Sequence, residues 1–504
     1  MQKKINYTYV IALVVSLAIV GWGLASPASF EAAGKSLFAT FVTNFGWFYS
    51  LAMTSFVVFV IWIGFFSKYK NMRLGPDDSR PEYSNISWFA MLFSAGMGIG
   101  LVFWGVAEPL NFFVAPLGAD PGTPEAAQFA MNKAFLHWGL HPWANYSVLA
   151  LALAYMQFRK NKPGLISSVF IPVLGEERVK GPIGITIDVL AIFATLAGVA
   201  TSLGLGAYQI NSGLHFVFPT IIPENNTALI IIVAIVTILF MTSAITGLDK
   251  GIKFLSNLNV GISGVVILSV FIVGPTLMML NVIVESIGGY FQTFAQNTLA
   301  IGAFKDGGWY GGWTIFYWAW WIAWAPFSAI FIARISKGRT IKEFVTGVLL
   351  VPAFASFLWF GVFGTLGIQT GMEKGLDVVT DAVGSTSTAL FKILQHYPFG
   401  SAISIVVVIL LCTFFVTSAD SATFVLGMLS EEGNLNPKTS KKVVWGVLLA
   451  LLALALMIGS ENGLQMLQTV SIVAAFPFAI IMVWGMYALV VALKSENVEK
   501  LNKK

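Results

Sequence analysis

The stretch Ser94-Ala-Gly-Met-Gly-Ile-Gly100, continuing as Leu-Val-Phe-Trp-Gly-Val-Ala-Glu-Pro109, lies inside an apolar run that extends from about residue 86 to 114. Such a run exceeds the roughly 20 residues that a helix needs to cross a bilayer core. Gly96, Gly98 and Gly100 interrupt it at alternate positions. Two readings fit. An unwound backbone at membrane depth is tolerable only where it lines a cavity, so the glycines mark a broken helix beside a binding site. Alternatively, Gly96 and Gly100 form a GxxxG pair that lets a neighbouring helix pack closely.

Outward from this stretch the same composition repeats. Hydrophobic residues make up 57% of the 504 and charged residues only 11%, too few to cover a soluble surface of several domains. Mean hydropathy is +0.80. Apolar runs between charged or turn-rich breaks give twelve candidate spans, near 8–25, 44–66, 86–114, 129–157, 183–216, 227–247, 254–280, 310–333, 341–370, 398–430, 442–459 and 464–493. The expected class is an all-α, multi-pass protein of the cytoplasmic membrane. The opening Lys3-Lys4 and the apolar run to Leu24 have the outline of a cleavable signal, but similar segments follow all along the chain, which favours a retained first span.

The positive charges fix an orientation. With both termini cytoplasmic, Lys3, Lys4, Arg73, Arg80, Arg159, Arg178, Lys250, Arg334, Arg339, Lys441 and Lys504 all fall on the cytoplasmic side. Only Lys35, Lys133, Lys305, Lys374 and Lys392 fall on or near the other side, as the positive-inside rule predicts for an even number of spans. Two outer stretches, 282–303 and 379–395, read as amphipathic helices lying along the membrane surface, and 495–504 as a short solvated tail. Cys412 is the single cysteine, so no intrachain disulfide or cysteine metal cluster is expected.

Aromatic residues supply the chemistry. In Phe316-Tyr-Trp-Ala-Trp-Trp-Ile-Ala-Trp-Ala-Pro-Phe327, the residues Trp318, Trp320, Trp321 and Trp324 crowd mid-span, away from the headgroup levels that tryptophan ordinarily prefers. At about 100° per residue, Trp320, Trp321 and Trp324 share an arc of roughly 100°. In His137-Trp-Gly-Leu-His-Pro-Trp-Ala-Asn-Tyr146, Trp138, Trp143 and Tyr146 fall within roughly 140° by the same arithmetic. Each stripe alone fits core packing. Two on separate helices can instead form a box whose ring faces attract a trimethylammonium group, at about 0.5–2 kcal/mol per desolvated contact.

A polar constellation follows in Phe414-Phe-Val-Thr-Ser-Ala-Asp-Ser421, where Thr417, Ser418 and Ser421 share a helix face. Hydroxyls beside free helix carbonyls are hard oxygen ligands suited to sodium; the alternative is back-bonding to the helix's own carbonyls. Thr195 and Ser202 share another face. Glu108 and Lys133 are expected near the outer ends of their spans and Asp188 and Asp420 near the cytoplasmic ends, with structural or gating roles; His137 and His141 are expected to pack helices rather than carry protons. With no phosphate-binding loop of GxxxxGK[ST] form and no HExxH motif, neither ATP drive nor catalysis is indicated, so the chain is expected to be no enzyme and to need no cofactor.

The segments Ser94 to Pro109, Phe316 to Phe327, Ile332-Ala-Arg-Ile-Ser-Lys-Gly-Arg339 and Thr417-Ser-Ala-Asp-Ser421 together resemble the betaine/carnitine/choline transporter family, and within it the transporters of glycine betaine. The resemblance spans essentially the whole chain. It implies a tail and two leading helices (1–82), two five-helix inverted repeats of the LeuT type (83–281 and 309–494) joined by an amphipathic helix (282–308), a homotrimer in the lipid bilayer, and alternating access around a midplane site. It further implies an aromatic box of Trp138, Trp143, Tyr146, Trp320, Trp321 and Trp324, with Trp318 on the exit path and Gly98, Gly100 and Ser202 beside the substrate. One sodium would take the carbonyls of Ser94 and Met97 with Phe414, Thr417 and Ser418; a second would involve Thr195 and Phe327. Val199 stands where sodium-coupled relatives place a second threonine, which weakens that second site. Gly100, where choline-preferring relatives tend to carry Asp, points to a zwitterion. Sodium-coupled import of glycine betaine is the expected activity, against a sodium-independent carnitine or choline exchanger or an osmotic channel. No nucleic-acid partner is implied.

Overall fold

The computed structural model describes residues 6–96, 98–246, 248–459 and 462–496, and its elements are helices. In chain order the main ones are α1 (Tyr7–Ala25), α2 (Pro27–Ile61), α3 (Asn85–Gly96), α4 (Ile99–Val114), α5 (Pro124–Trp138), α6 (Leu140–Ala154) and α7 (Pro182–Val217). There follow α8 (Asn226–Thr246), α9 (Leu248–Val273), α10 (Thr276–Thr298), α11 (Phe316–Ile335), α12 (Val351–Lys374), α13 (Leu376–Gly384), α14 (Ala389–Leu394), α15 (Gly400–Leu429), α16 (Thr439–Ile458) and α17 (Gly463–Lys494). Local chemistry sets the starts. The Asn6 side chain accepts the Tyr9 amide at 2.9 Å, and Thr123 accepts the Ala126 amide at 3.3 Å just before Pro124. Pro27 and Pro182 stand at first helical positions, where a missing N–H costs nothing.

Ten helices among the described residues are long and apolar enough to cross a membrane. The third and fourth expected spans are not among them, because each is two shorter helices meeting at a glycine. Helix α3 ends at Gly96 and α4 begins at Ile99, with Gly98 at the non-helical φ −134, ψ −135. Met97 lies outside the described residues. Helices α5 and α6 meet at Gly139 (φ −84, ψ −123), where a Cβ would stand 2.9 Å from Phe357 Cε1 and 2.5 Å from the Phe135 carbonyl oxygen. No larger residue fits there.

Three boundaries differ from the sequence reading. Helix α2 starts at Pro27 rather than near 44, and runs into a π-helical turn, Trp62–Phe66. Gly274-Pro275 closes α9, so the next helix begins at Thr276 instead of near 282. The stretch expected along the membrane surface at 379–395 is two helices, α13 and α14, that bury Val379, Ala382, Leu390, Phe391, Ile393 and Leu394 in the protein. Phe391 packs where a side chain on Gly213 of α7 would otherwise stand. The terminal lysines used for orientation, Lys3, Lys4 and Lys504, lie outside the described residues.

Burial grades from the edge to the centre. Of the apolar window in 307–335, 94% is buried, against 22% for α1. Helix α11 packs on α6, α7 and α17, so its tryptophans stand at the centre of the helix array.

Candidate functional site

A cavity opens where the α3–α4 break meets α11. It is lined by Gly98, Ile99, Gly100 and Leu101 from the start of α4, Trp138 at the end of α5, Ser202 of α7, Trp320, Trp321 and Trp324 of α11, and Ser418 of α15. The rings face one another. Trp320 and Trp321 stack at 4.8 Å and 15°, and Trp138 meets Trp321 edge-on at 4.9 Å and 77°. A Cβ on Gly100 would come within 2.6 Å of Trp320 Cη2 and 3.1 Å of Trp138 Cη2, so only glycine admits both indoles at this separation.

Three of the four indole N–H groups are committed. Trp138 Nε1 donates to Glu108 Oε2 at 2.7 Å, Trp321 Nε1 to the His137 carbonyl at 3.0 Å, and Trp324 Nε1 to the Gly198 carbonyl at 2.7 Å. Trp320 Nε1 is buried without a hydrogen-bond partner among the described residues. Asn145 adds a further brace by donating to the Trp321 carbonyl at 2.7 Å. The walls therefore present ring faces and edges, with fixed orientations and little spare hydrogen bonding. Such a surface favours a desolvated methylated cation over a primary amine, which needs acceptors for its three donors.

Other residues singled out from sequence stand elsewhere. Trp143 and Tyr146 pair edge-on at 5.6 Å and 87°, fully buried, away from the cavity lining. The arithmetic that grouped them with Trp138 assumed one continuous helix, and the break at Gly139 resets the angle. Trp318 stacks on His141 at 4.5 Å, with Phe294 stacked on that same histidine at 5.1 Å, and likewise leaves the cavity lining. Ser418 Oγ faces the cavity, 3.4 Å from where a Cβ of Gly98 would be, whereas the Thr417 hydroxyl accepts from Asn259 Nδ2 at 2.9 Å. Thr417 also lies 3.0 Å from the Thr413 carbonyl and 3.1 Å from that of Phe414, the back-bonding alternative raised above. Phe414 is buried in α15, and Ser94 is in the last turn of α3. Thr195 Oγ1 is buried with no partner among the described residues, and Phe327 packs edge-on against Trp324 at 5.2 Å.

The ionisable residues expected near solvated ends are buried. Glu108 is 0% exposed, Asp188 5% and Asp420 2%. Asp188 accepts the amide and hydroxyl of Ser167 at 2.9 and 2.7 Å, and Asp420 accepts the Ser243 hydroxyl at 2.5 Å. Lys133 reaches Asn297 Oδ1 at 3.0 Å, with Phe129, Trp309 and Tyr310 rings 5.2–5.8 Å around its ammonium. Asn145, Gly198, Asn259 and Tyr317 escaped sequence analysis, because each acts through a contact with a residue far away in the chain. Glu108, sitting between an apolar run and Pro109, was visible as an ionisable residue, and so was its partner His137.

The fold and this cavity define a multi-pass helical membrane protein with a buried aromatic site at a helix break. The model of the BCCT, betaine/carnitine/choline family transporters, matches residues 7–498, and the chain belongs to that family. It is 45% identical to the glycine betaine transporter OpuD of Bacillus subtilis (strain 168), covering 100% of this chain and 98% of that one. It is 42% identical to a probable glycine betaine transporter of Desulfitobacterium hafniense (98% and 99% covered) and 42% identical to an ectoine/hydroxyectoine transporter of Virgibacillus pantothenticus (94% and 93% covered). Among solved structures, MhsT in complex with L-phenylalanine matches at a TM-score of 0.49 and 14% identity over 82% of this chain and 89% of that one, too distant to bear on the argument.

Proposed function

We propose that this transporter imports glycine betaine together with sodium by alternating access. The observation that carries the reading is the cavity itself: four tryptophans from α5 and α11 closing on the glycine break between α3 and α4. The relatives named as glycine betaine transporters add weight to the choice of solute. Cotransported sodium would sit beside Ser418 and the α3–α4 break, with Ser94, Met97, Phe414 and Thr417 as further ligands. A second ion near Thr195 and Phe327 has less support, since Val199 offers no hydroxyl. Inward membrane potential adds about 2.3 kcal/mol per sodium charge per 100 mV, enough for one ion to drive accumulation of a neutral zwitterion. In this reading both termini are cytoplasmic, the two halves 83–281 and 309–494 are the inverted repeats that rock about the site, and the assembly is a homotrimer.

The test is tryptophan fluorescence and uptake in proteoliposomes. Trp321→Ala and Trp324→Ala are each expected to weaken glycine betaine binding by about tenfold or more, from the loss of a desolvated cation–ring contact and its packing. Normal binding by both variants moves the site elsewhere. Separately, uptake is expected to require sodium, and equal rates in potassium-only buffer defeat the coupling. A second reading is transport of a cyclic zwitterion, favoured by the 42% identity to an ectoine/hydroxyectoine transporter. The same titration with ectoine, carnitine, choline and proline alongside glycine betaine ranks the solutes.

A further inference from the structure

The cavity takes its shape from a carboxylate that does not line it. Glu108 stands on α4 beyond Gly100, fully buried. Its Oε2 accepts from Trp138 Nε1 at 2.7 Å and from Tyr317 Oη at 2.5 Å, and its Oε1 lies 2.6 Å from His137 Nδ1. His137 is itself held on its far side, with Nε2 3.0 Å from Thr314 Oγ1. Its backbone carbonyl then accepts Trp321 Nε1. One carboxylate thus holds Trp138 directly and also the side chain of His137, the residue before it, whose backbone carbonyl receives Trp321, and it joins α4, α5 and α11 at the level of the rings.

We infer that Glu108 is the positioning residue that sets the angle and spacing of Trp138 and Trp321, and through them the preference for a fully methylated nitrogen; this rests on the reading of the cavity as the substrate site. The physical ground is threefold. A buried indole is free to turn about its side-chain bonds unless its single donor is held, and a carboxyl that is itself held by several donors is a fixed acceptor for it. Ring attraction for a cation falls off with centroid distance and with tilt away from the face, so a trimethylammonium that touches several rings at once loses more from their drift than a smaller, less methylated head. A carboxylate at membrane depth served by neutral donors is an expensive arrangement to keep for packing alone, which methyl groups would supply without the desolvation cost.

The experiment compares Glu108→Gln, Tyr317→Phe and the pair in the full-length protein, titrated with glycine betaine and with N,N-dimethylglycine by tryptophan fluorescence, with a thermal melt of each variant. Glu108→Gln exchanges one carboxyl oxygen for an amide donor while keeping shape. It is expected to raise the glycine betaine Kd by about tenfold, the loss of a buried hydrogen bond, while dimethylglycine changes by less than half as much in fold terms. Tyr317→Phe is expected to shift the same ratio by about threefold, and to add little in the Glu108→Gln background because both act through one carboxylate. An unchanged ratio of the two affinities in Glu108→Gln overturns the inference, as does an equal loss for both ligands accompanied by a lowered melting point, which is the mark of a merely structural group. If Glu108→Gln does not accumulate in the membrane, Tyr317→Phe decides alone, and an unchanged ratio there overturns it. Failure of the underlying reading looks different, since Trp321→Ala and Trp324→Ala would then bind as the parent does.

Discussion

Glu108 and Glu496 each draw several donors onto one carboxylate, at the centre of the helix array and at its end respectively. Around Glu108, 0% exposed, stand Trp138, Tyr317 and the imidazole of His137. Around Glu496, whose side chain is 10% exposed, stand Arg159 and Lys160 at 2.8 Å and the Tyr155 hydroxyl at 2.9 Å. Arg159 reaches on to Asp77 at 2.8 Å and to the Gly75 carbonyl at 3.0 Å, so this cluster ties the connection after α2, the chain end of α6 and the residues after α17 into one knot. The difference lies in what replaces a lost partner. Water can enter at Glu496 and the charges remain solvated, whereas at Glu108 a lost partner leaves an uncompensated group in low dielectric. The central cluster therefore leaves its rings little room to shift, and the end cluster joins segments with tolerance.

The largest effect is expected where the central cluster has no slack, and it can be tested without touching Glu108. Gly100→Ala adds one carbon that would lie 2.6 Å from Trp320 Cη2 and 3.1 Å from Trp138 Cη2. Neither ring has an easy retreat, because Trp138 is held by Glu108 and Trp320 is stacked between Phe316 at 5.6 Å and Trp321 at 4.8 Å. Overpacking of this kind costs roughly 1–3 kcal/mol, so glycine betaine Kd by fluorescence titration is expected to rise about tenfold. Alanine is the better helix former, so a variant that melts higher and binds normally would show the rings to be mobile and would erase the contrast drawn between the two clusters.

The sequence made part of this contrast legible. Apolar run lengths placed the membrane segments, and a period of 3.6 put Trp320, Trp321 and Trp324 on one face because α11 is continuous through them. The same arithmetic misplaced Trp143 and Tyr146 relative to Trp138, since Gly139 in a short turn leaves no periodic trace. The glycine run at 96–100 announced a break, and the structure has one, with Gly98 non-helical. Glu108 was visible as an ionisable residue in an apolar run, but its partners lie 29, 30 and 209 residues away, and no local pattern encodes that convergence. The pairing of Asn259 with Thr417, 158 residues apart, was hidden for the same reason.

The smallest effect belongs to the end cluster, and its pH dependence gives it a signature. Partial burial alone would raise the pKa of Glu496, but hydrogen bonds from Arg159, Lys160 and Tyr155, with the Arg159 charge, outweigh burial and hold the carboxyl at about 2, below its ordinary 4.5. A carboxyl with a depressed folded-state pKa contributes stability above its unfolded value and loses that contribution as pH falls toward the folded one. Screening by solvent reduces the contribution to on the order of 1 kcal/mol. Glu496→Gln, which cannot ionise, is therefore expected to melt slightly below the parent at pH 6, with the gap narrowing from about pH 4.5 and closing near pH 2. Glycine betaine uptake at neutral pH is expected to stay near that of the parent. A gap that ignores pH would mean that the knot is held by packing instead of charge, and a collapse of uptake would mean that the end cluster, like the central one, has no tolerance to spare.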